Sequence, residues 1–314
     1  MALSKIQKAA LSAASSARLD IKNNYKLHRV FIKALHTHLL RPAHRIWENH
    51  SVKNGDYDVP LRIFSPKLKG YYPAIIFFHG GGWVTGDLDS YDKVCTQLSE
   101  ETMHTVVSVE YRLAPEYKFP IALEDCYAVV REVFMKSPLI NVDKSDITLM
   151  GDSAGANLAA CVSLLARDRK EFLPPRQILL YPVTNNDHSE TSRFDSVVTN
   201  GTDYLLTRQA ICDYLELYKS CDEDINNPYF APLLAELDNQ PKTLIITAEF
   251  DPLRDEGEAF GERLREFNND VSVIRIPDAL HGFFSRPKSF ESVKTAYKHI
   301  NEFLKEVPHI DEQK

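Results

Sequence analysis

The sequence has no apolar run long enough to cross a membrane and no N-terminal apolar stretch of the kind that marks an export signal. It also has no Gly/Ser-rich or Pro-rich linker, no internal repeat and no low-complexity tract. These absences argue against a membrane-spanning protein, a repeat protein and a string of linked domains. The length of 314 residues therefore predicts one soluble domain around a single large core, with an insertion.

Closely spaced cysteine pairs and basic patches are absent as well. The cysteines are odd in number and none has the short paired spacing of a zinc or redox motif, which favours free thiols in a reducing cytoplasm. They are Cys95, Cys126, Cys161, Cys212 and Cys221. The formal net charge is -7 and no basic stripe is interleaved with aromatic residues. We therefore expect no nucleic-acid partner, whereas neutral and cationic small molecules remain open as ligands.

The first 45 residues differ from the rest because they are Ala-rich and basic, with Asp20 as their single acid. The apolar periodicity predicts a helix over residues 21–40 whose apolar face packs on the rest of the protein and whose basic side chains face water. That face contains Leu27, Phe31, Leu35 and Leu39. An organelle-targeting peptide and a membrane-surface helix are the alternatives for this segment, and stable insertion into a membrane is not expected.

Strands and helices alternate along most of the remaining chain. The apolar pattern predicts strands at 59–64, 74–78, 105–110, 147–150, 177–181, 243–248 and 271–276. Helices are predicted near 90–102 and over 120–136, 154–167, 208–218, 256–267 and 290–307. This alternation predicts a parallel sheet with helices on both faces, and Pro60 favours an edge position for the first strand. Between Pro182 and Gln240 the alternation breaks in a polar stretch, which we interpret as an inserted lid.

Residues 151–155, Gly-Asp-Ser-Ala-Gly, lie between the predicted strand at 147–150 and the predicted helix at 154–167. A tight strand-to-helix turn lifts its central side chain above the strand ends, and the flanking glycines let neighbouring backbone pass. Ser153 is thereby exposed to attack a carbonyl carbon. A lone match to so short a pattern is more often an ordinary turn, but the strand before it, the helix after it and a second motif favour the nucleophile.

A serine hydroxyl is a weak nucleophile near neutral pH, so a histidine must take its proton and a carboxylate must hold that histidine in the required tautomer. In strand-turn-helix nucleophile sites the acid and then the histidine follow the serine along the chain. His281 is the best-placed histidine because it follows the strand at 271–276 in a loop and precedes Gly282. His188, His299 and His309 lie instead in the insert, the last helix and the tail.

Asp251 is favoured as the carboxylate because it comes just after the strand at 243–248, at the sheet end where ligands bind in open α/β folds. Glu249 and Asp255 remain competitors by position, although helix N-terminal charge is the ordinary role of an acid such as Asp255. Asp278 is nearer to His281 in sequence, but a residue on the same loop is poorly placed to brace the ring from behind.

Residues 79–83, His-Gly-Gly-Gly-Trp, follow the predicted strand at 74–78 and place free backbone amides at its end. Attack on an ester creates a negatively charged oxygen, and each preorganised N–H donor that meets it is typically worth about 10² to 10³ in rate. The predicted donors are Gly81, Gly82 and Ala154. His79 is expected to brace the glycine loop, since no companion at metal-ligand spacing accompanies it. The run is not a phosphate loop, because no Gly-Lys-Ser/Thr follows.

Aromatic side chains adjoin both catalytic loops. Trp83, Phe283 and Phe284 are candidates for the wall of an apolar substrate pocket, and filling of the core is the equally weighted alternative. In the stretch 111–116, Tyr-Arg-Leu-Ala-Pro-Glu, we expect Arg112 and Glu116 to pair with each other and brace the loop.

Together these motifs resemble the hormone-sensitive-lipase family of α/β-hydrolases, which contains bacterial acetyl esterases and carboxylesterases. The similarity runs from about His79 to Phe283 and includes residues 79–83, 111–116, 119–125, 151–155, 251–257 and 281–283 in family order. It implies an α/β-hydrolase fold with a mostly parallel sheet of about eight strands and a helical cap. The implied division is cap helices at 1–45, a core at 46–182 and 241–314, and a cap insertion at 183–240. Ala156 departs from the family pattern, which usually has a further glycine there.

The motifs and the resemblance predict a serine carboxylesterase that cleaves short acyl esters through an acyl-enzyme, with Ser153, Asp251 and His281 as catalytic residues. A small-molecule ester is the expected partner, a homodimer is left open, and the resemblance implies no cofactor; a metal ion is not expected either. An amidase, a peptidase and a lactone hydrolase remain alternatives, because the triad does not select the leaving group. A non-catalytic ligand-binding relative is disfavoured by the presence of His281.

Overall fold

A central sheet organises the protein, whose computed structural model describes residues 20–36, 47–66, 70–135 and 139–305. Its strands are β1 (Trp47–Asn54), β2 (Tyr57–Phe64), β3 (Ala74–Phe78), β4 (Thr105–Val109), β5 (Ile147–Asp152), β6 (Arg176–Leu180), β7 (Lys242–Phe250) and β8 (Val271–Leu280). They lie in the order β1-β2-β4-β3-β5-β6-β7-β8. The β1–β2 and β2–β4 pairs are antiparallel, and the other pairs are parallel. The expected mostly parallel sheet of about eight strands is confirmed.

Helices cover both faces of the sheet. In the described part of the chain they are α1 (Ile21–His36), α2 (Leu88–Thr102), α3 (Ile121–Met135), α4 (Ala154–Arg169), α5 (Asp195–Thr199), α6 (Arg208–Tyr218), α7 (Arg254–Glu266) and α8 (Glu291–Lys305). The neighbouring side chains of Phe77 and Phe78 in β3 point to opposite faces, as successive strand residues do. Phe77 belongs to one hydrophobic cluster with α2 and α8, and Phe78 belongs to a larger one with α3, α4 and α7.

The central strands are buried at every residue, which explains their continuous apolar sequences. All five residues of β3 and all five of β4 are buried. A parallel strand that is covered by helices on both sides has no polar face to present to water. Burial of one large apolar side chain contributes about 1.5–3 kcal/mol, so these strands supply much of the stability of the core.

The strand that the sequence predicted at the sheet edge lies one position inside it. Pro60 is in β2, and β1 pairs with β2 from Trp47–Phe64 to Asn54–Tyr57. Pro60 is tolerated there because β4 pairs only with Leu61–Phe64 on the other side. The edge strand β1 was not predicted, because its sequence is mostly polar: Trp-Glu-Asn-His-Ser-Val-Lys-Asn. Its pairing with β2 across a two-residue turn makes it a strand.

Helix α1 packs with a different face from the one predicted. Leu27 and Phe31 are each 56% exposed, whereas Ile21 is 1% exposed. The residues that contact the rest of the protein are polar as well as apolar, and they include His28 and Arg29. The side chain of Leu35 and all of Leu39 lie outside the described residues. No helix in the described ranges is both long and apolar enough to cross a membrane.

The polar stretch after Pro182 contains the short helices α5 and α6 and lies against α1. Lys22 of α1 pairs with Glu216 of α6 at 3.3 Å, and the His28 ring nitrogen Nε2 lies 2.7 Å from the Tyr214 hydroxyl. Two segments far apart in sequence therefore contact each other.

Truncation on the two faces of α1 is predicted to change the stability by very different amounts. We expect Ile21→Ala to lower the free energy of unfolding by about 2–5 kcal/mol, because it leaves a cavity under the helix. Leu27→Ala, at an exposed position on the same helix, should change it by less than about 0.5 kcal/mol. Urea denaturation followed by circular dichroism measures both. A larger loss for the Leu27 variant would contradict this packing.

Candidate active site

The turn from β5 to α4 presents the Ser153 side chain. Ser153 has a φ of 54° and a ψ of -119°, a backbone conformation that few residues other than glycine adopt. The turn packs so closely on the end of β3 that a Cβ atom on Gly155 would lie 2.0 Å from the Phe78 carbonyl oxygen. Glycine is therefore required at 155, and the packing around it holds the strained serine in place.

The structure brings Ser153, His281 and Asp251 into one hydrogen-bonded chain. His281 Nε2 lies 2.9 Å from Ser153 Oγ, and His281 Nδ1 lies 2.7 Å from Asp251 Oδ2. Because a carboxylate can only accept, Nδ1–H donates to Asp251 and Nε2 is left to accept from the serine hydroxyl. The three residues follow β5, β7 and β8, and parallel strands end at the same edge of a sheet.

Asp251 is fixed by contacts on its other side. Its side chain is fully buried, and its second oxygen, Oδ1, accepts from the Leu253 backbone N–H at 2.9 Å. The Asn200 side-chain amide donates to the carbonyl oxygens of both Glu249 and Asp251 at 3.2 Å. The insert that carries Asn200 therefore helps to hold the loop from which Asp251 projects.

The competing acids and one competing histidine have other partners. Glu249 accepts from the Asp278 backbone N–H at 2.6 Å, and Asp255 accepts from the Ser196 backbone N–H at 2.7 Å in the first turn of α7. His188 is buried, and its Nε2 lies 2.6 Å from Oε2 of the buried Glu256 side chain. None of these acids shares a hydrogen bond with His281 within the described residues.

The glycine loop after β3 places N–H groups beside the serine turn. Gly81 and Gly82 have φ values of 116° and 61°, and the Gly81 carbonyl accepts from Val84 and Thr85 in a tight turn. In the described part of the chain, the N–H groups of Gly81 and Gly82 donate to no backbone acceptor. Ala154 opens α4, and the first N–H of a helix has no partner within the helix. These three groups are available as donors.

His79 lies inside the glycine loop. Its ring is fully buried, stacks on Tyr111 with ring centroids 4.3 Å apart, and donates from Nδ1 to the Gly80 carbonyl oxygen at 2.9 Å. Burial lowers the pKa of His79 to about 4, so the ring is neutral at physiological pH. Its contacts brace the loop and leave it no direct path to a substrate.

Arg29 ties helix α1 to the glycine loop, and sequence reasoning missed it. Its guanidinium donates to the carbonyl oxygens of Val84 and Ala114 at 2.6 Å each and pairs with Glu116 at 2.7 Å. The expected pair between Arg112 and Glu116 is therefore wrong. No sequence pattern marks a contact between residues so far apart in the chain.

Arg112 instead pairs with the fully buried carboxylate of Asp125 at 2.7 Å. This pair joins the loop after β4 to helix α3, and the Asp125 carboxylate also accepts from the Asn54 amide at 2.7 Å. A buried carboxylate such as Asp125 needs these partners to offset the cost of its desolvation. The Glu116 carboxylate lies at the surface, where water solvates it, and does not need them.

Tyr214 of α6 lies directly on the glycine loop. A Cβ atom on Gly82 would lie 2.4 Å from Tyr214 Cγ, so the ring contacts Gly82 closely. The hydroxyl end of the same ring contacts His28 of α1. An aromatic residue from the insert thus borders the position where the sequence places the oxyanion donors.

Trp83, Phe283 and Phe284 are 1%, 0% and 3% exposed. The Trp83 indole stacks on Tyr218 with ring centroids 4.4 Å apart. All three side chains belong to the hydrophobic clusters of the core. This packing favours the second of the two interpretations of these aromatics, filling of the core.

Asp152 is a second buried carboxylate beside the serine. Its Oδ1 accepts from the Gly80 backbone N–H at 2.8 Å, and its Oδ2 accepts from the hydroxyls of Tyr91 and Tyr181 at 3.1 and 3.5 Å. Burial raises the pKa of Asp152 to about 6, although these hydrogen bonds and His281 act in the opposite direction. The residue is visible in the Gly-Asp-Ser-Ala-Gly motif, but nothing in the sequence shows where its side chain points.

Within the described residues, no three His, Cys, Asp or Glu side chains lie close enough together to hold a metal ion. All five cysteines are free thiols, and burial raises the pKa of Cys95 to about 12. The hydrogen-bonded chain of Asp251, His281 and Ser153 can move a proton from Ser153 to His281. The backbone N–H groups of Gly81, Gly82 and Ala154 can act as donors nearby.

Residues 75–285 match a family model described as an alpha/beta hydrolase fold. Over 244 residues the chain is 38% identical to an arylesterase of Saccharolobus solfataricus, covering 77% of this chain and 78% of that protein. Over 234 residues it is 32% identical to an ethyl acetate hydrolase of Pseudomonas putida, covering 72% of each. A solved Pyrobaculum calidifontis esterase superposes with a TM-score of 0.84 at 32% identity, covering 97% of this chain and 98% of that one. The chain thus belongs to the α/β-hydrolase fold family, in its hormone-sensitive-lipase and carboxylesterase branch.

Proposed function

We propose that the protein is a serine carboxylesterase that hydrolyses short-chain acyl esters with Ser153, His281 and Asp251 as its catalytic residues. The observation that carries this proposal is the hydrogen-bonded chain from Asp251 through His281 to Ser153 at the carboxyl edge of the sheet. Free N–H groups next to that serine complete the requirements for acyl transfer.

The reaction begins when Ser153 Oγ attacks the ester carbonyl carbon and His281 Nε2 takes the hydroxyl proton. The carbonyl oxygen becomes negatively charged and accepts from the N–H groups of Gly81, Gly82 and Ala154. His281 then gives its proton to the leaving alcohol, and an acyl group remains on Ser153. Water attacks this acyl-enzyme with His281 as the base, and Ser153 departs with the proton as the carboxylic acid is released.

Asp251 supports both steps from behind the ring. It accepts from Nδ1–H, so the lone pair of the neutral imidazole is on Nε2, where the serine hydroxyl is. When His281 becomes an imidazolium, the buried carboxylate stabilises the positive charge. Because Leu253 and Asn200 hold the Asp251 loop, the acid does not need to reorganise during the reaction.

The relatives and the surroundings of the glycine loop support the proposed substrate class. The chain is a carboxylic ester hydrolase, in line with relatives named arylesterase and ethyl acetate hydrolase. We assign it a short acyl group because the Tyr214 ring contacts Gly82 and leaves little room beside the proposed oxyanion donors. No observation favours amide or lactone substrates, since the triad geometry is the same for each.

Removing the nucleophile tests the proposal most directly. Ser153→Ala should lower kcat for p-nitrophenyl acetate by at least about 10⁴-fold with an unchanged melting temperature. Ser189→Ala, at an exposed position in the insert, should keep full activity. An organophosphonate should label the native protein and the Ser189 variant but not the Ser153 variant, as measured by intact mass. Retained turnover in the Ser153 variant would refute the proposal.

Asp251→Asn should lower kcat by about 10³- to 10⁴-fold, because an amide that faces Nδ1 favours the wrong tautomer of His281. KM should change little, since the carboxylate is buried and does not touch the substrate. Asp270→Asn, which removes a carboxylate paired with Lys242 on the surface, is the matched control and should retain activity. Equal kinetics for the two variants would exclude Asp251 as the catalytic acid.

A panel of p-nitrophenyl esters from acetate to decanoate should show kcat/KM falling beyond short acyl chains, since the Tyr214 ring limits the space next to Gly82. Tyr214→Ala should move the optimum to longer chains. Anilides of the same acyl groups measure the alternative reaction and should be cleaved far more slowly. Rates that rise with long-chain emulsions would contradict the assignment to short acyl esters.

A further inference from the structure

We propose that Asp152 is a positioning residue of the esterase reaction, which holds the glycine loop, the serine turn and the His281 loop in one fixed arrangement. This inference rests on the proposed function. Asp152 contacts no substrate itself and acts through Gly80, Tyr91 and Tyr181, which together with Asp152 we call the Asp152 cluster.

The first link of the cluster runs to the glycine loop. Asp152 Oδ1 accepts from the Gly80 N–H at 2.8 Å, and the Tyr91 hydroxyl lies 3.0 Å from the same N–H and 3.1 Å from Asp152 Oδ2. Gly80 immediately precedes the predicted donor Gly81. Asp152 immediately precedes Ser153, so one carboxylate fixes the distance between the donors and the nucleophile.

The second link runs to the loop that carries His281. The Tyr181 hydroxyl lies 3.5 Å from Asp152 Oδ2, and its ring meets the His281 ring edge-on with centroids 4.9 Å apart. The Phe284 backbone also hydrogen-bonds with the Tyr181 hydroxyl. Tyr181 itself is fixed because its N–H donates to the Ile246 carbonyl at 2.6 Å. A displacement of the Asp152 side chain would therefore shift the position of His281 as well as that of Gly80.

The charge of Asp152 also bears on the reaction. The titratable groups that face it are Tyr91 and Cys95 of α2, Tyr111 after β4, Tyr181 after β6 and His281. Burial raises the pKa values of the tyrosines and the cysteine well above neutrality, so these groups carry no charge. His281 is the one group in this set that becomes cationic during catalysis, and the carboxylate of Asp152 favours that cation.

The raised pKa of Asp152, about 6, gives the cluster a pH dependence with a definite sign. At higher pH the carboxylate accepts all three hydrogen bonds. As pH falls through about 6 it takes up a proton, and one oxygen turns from an acceptor for the two phenols into a donor. Because burial favours the neutral form, ionised Asp152 lowers the stability of the fold at neutral pH. A neutral isostere is therefore expected to weaken catalysis without weakening the fold.

Asp152→Asn separates these two effects. We expect kcat for p-nitrophenyl acetate to fall by about 10- to 100-fold above pH 7 with little change in KM, because the amide orders the oxyanion donors less well. The change in kcat/KM that accompanies protonation of Asp152 near pH 6 in the native protein should be absent from the variant, because an amide does not titrate in this range. The affinity of an arylboronic acid, whose tetrahedral adduct needs the same donors, should fall in parallel with kcat. The melting temperature should stay the same or rise.

A second test uses two tyrosine variants, one inside the Asp152 cluster and one outside it as the matched control. Tyr91→Phe removes a hydroxyl bonded to Asp152 and should lower kcat by about 3- to 10-fold. Tyr127→Phe removes a hydroxyl bonded to the carboxylate of Glu171 at 2.8 Å, far from the serine, and should leave kcat unchanged.

Wild-type kcat and an unchanged profile of kcat/KM against pH in Asp152→Asn would overturn the inference. A lower melting temperature of Asp152→Asn, low enough for unfolding to explain the lost activity, would overturn it as well. These outcomes leave the proposed function intact as long as the native protein turns over the ester and is labelled at Ser153. An inactive, unlabelled native protein would instead refute the proposed function.

Discussion

The hydrogen bonds on both ring nitrogens of His281 are the contacts around which the rest of the site is arranged. They join a strained serine after β5 to a buried aspartate after β7, through a ring that follows β8. Three separate strands must end at the same level for these distances to be met. The parallel pairing of β5, β6, β7 and β8 provides that common edge, and the buried apolar faces of the sheet hold it rigid.

Two aspartates lie near His281 in different environments. Asp251 accepts directly from the ring, whereas Asp152 accepts from the neighbouring backbone and two phenols. A carboxylate that contacts the imidazole can set its tautomer, and one that contacts the glycine loop can set only distances and charge. Adjacency to Ser153 in sequence therefore does not identify the carboxylate that contacts the imidazole, since Asp152 is adjacent to Ser153 and Asp251 is not.

Helix α1 and the polar stretch between Pro182 and Gln240 contribute to the order of the site. Asn200 in the insert holds the Asp251 loop, Tyr214 packs on Gly82, and Arg29 of α1 binds the carbonyl of Val84. Each contact joins a segment outside the sheet to a loop at its carboxyl edge. These contacts link both segments to the loops that carry the site residues.

The sequence by itself predicted the alternation of strands and helices, and it singled out Ser153, His281, Asp251 and the glycine loop. These signals are local, because a buried strand needs an apolar run and a strained turn needs small residues in a fixed order. Tertiary structure alone decided that β1 is the edge strand and that α1 exposes Leu27. It also decided that Arg29, rather than Arg112, pairs with Glu116. Those outcomes depend on which surfaces meet after folding, and residues distant in sequence leave no periodic signal of such a contact.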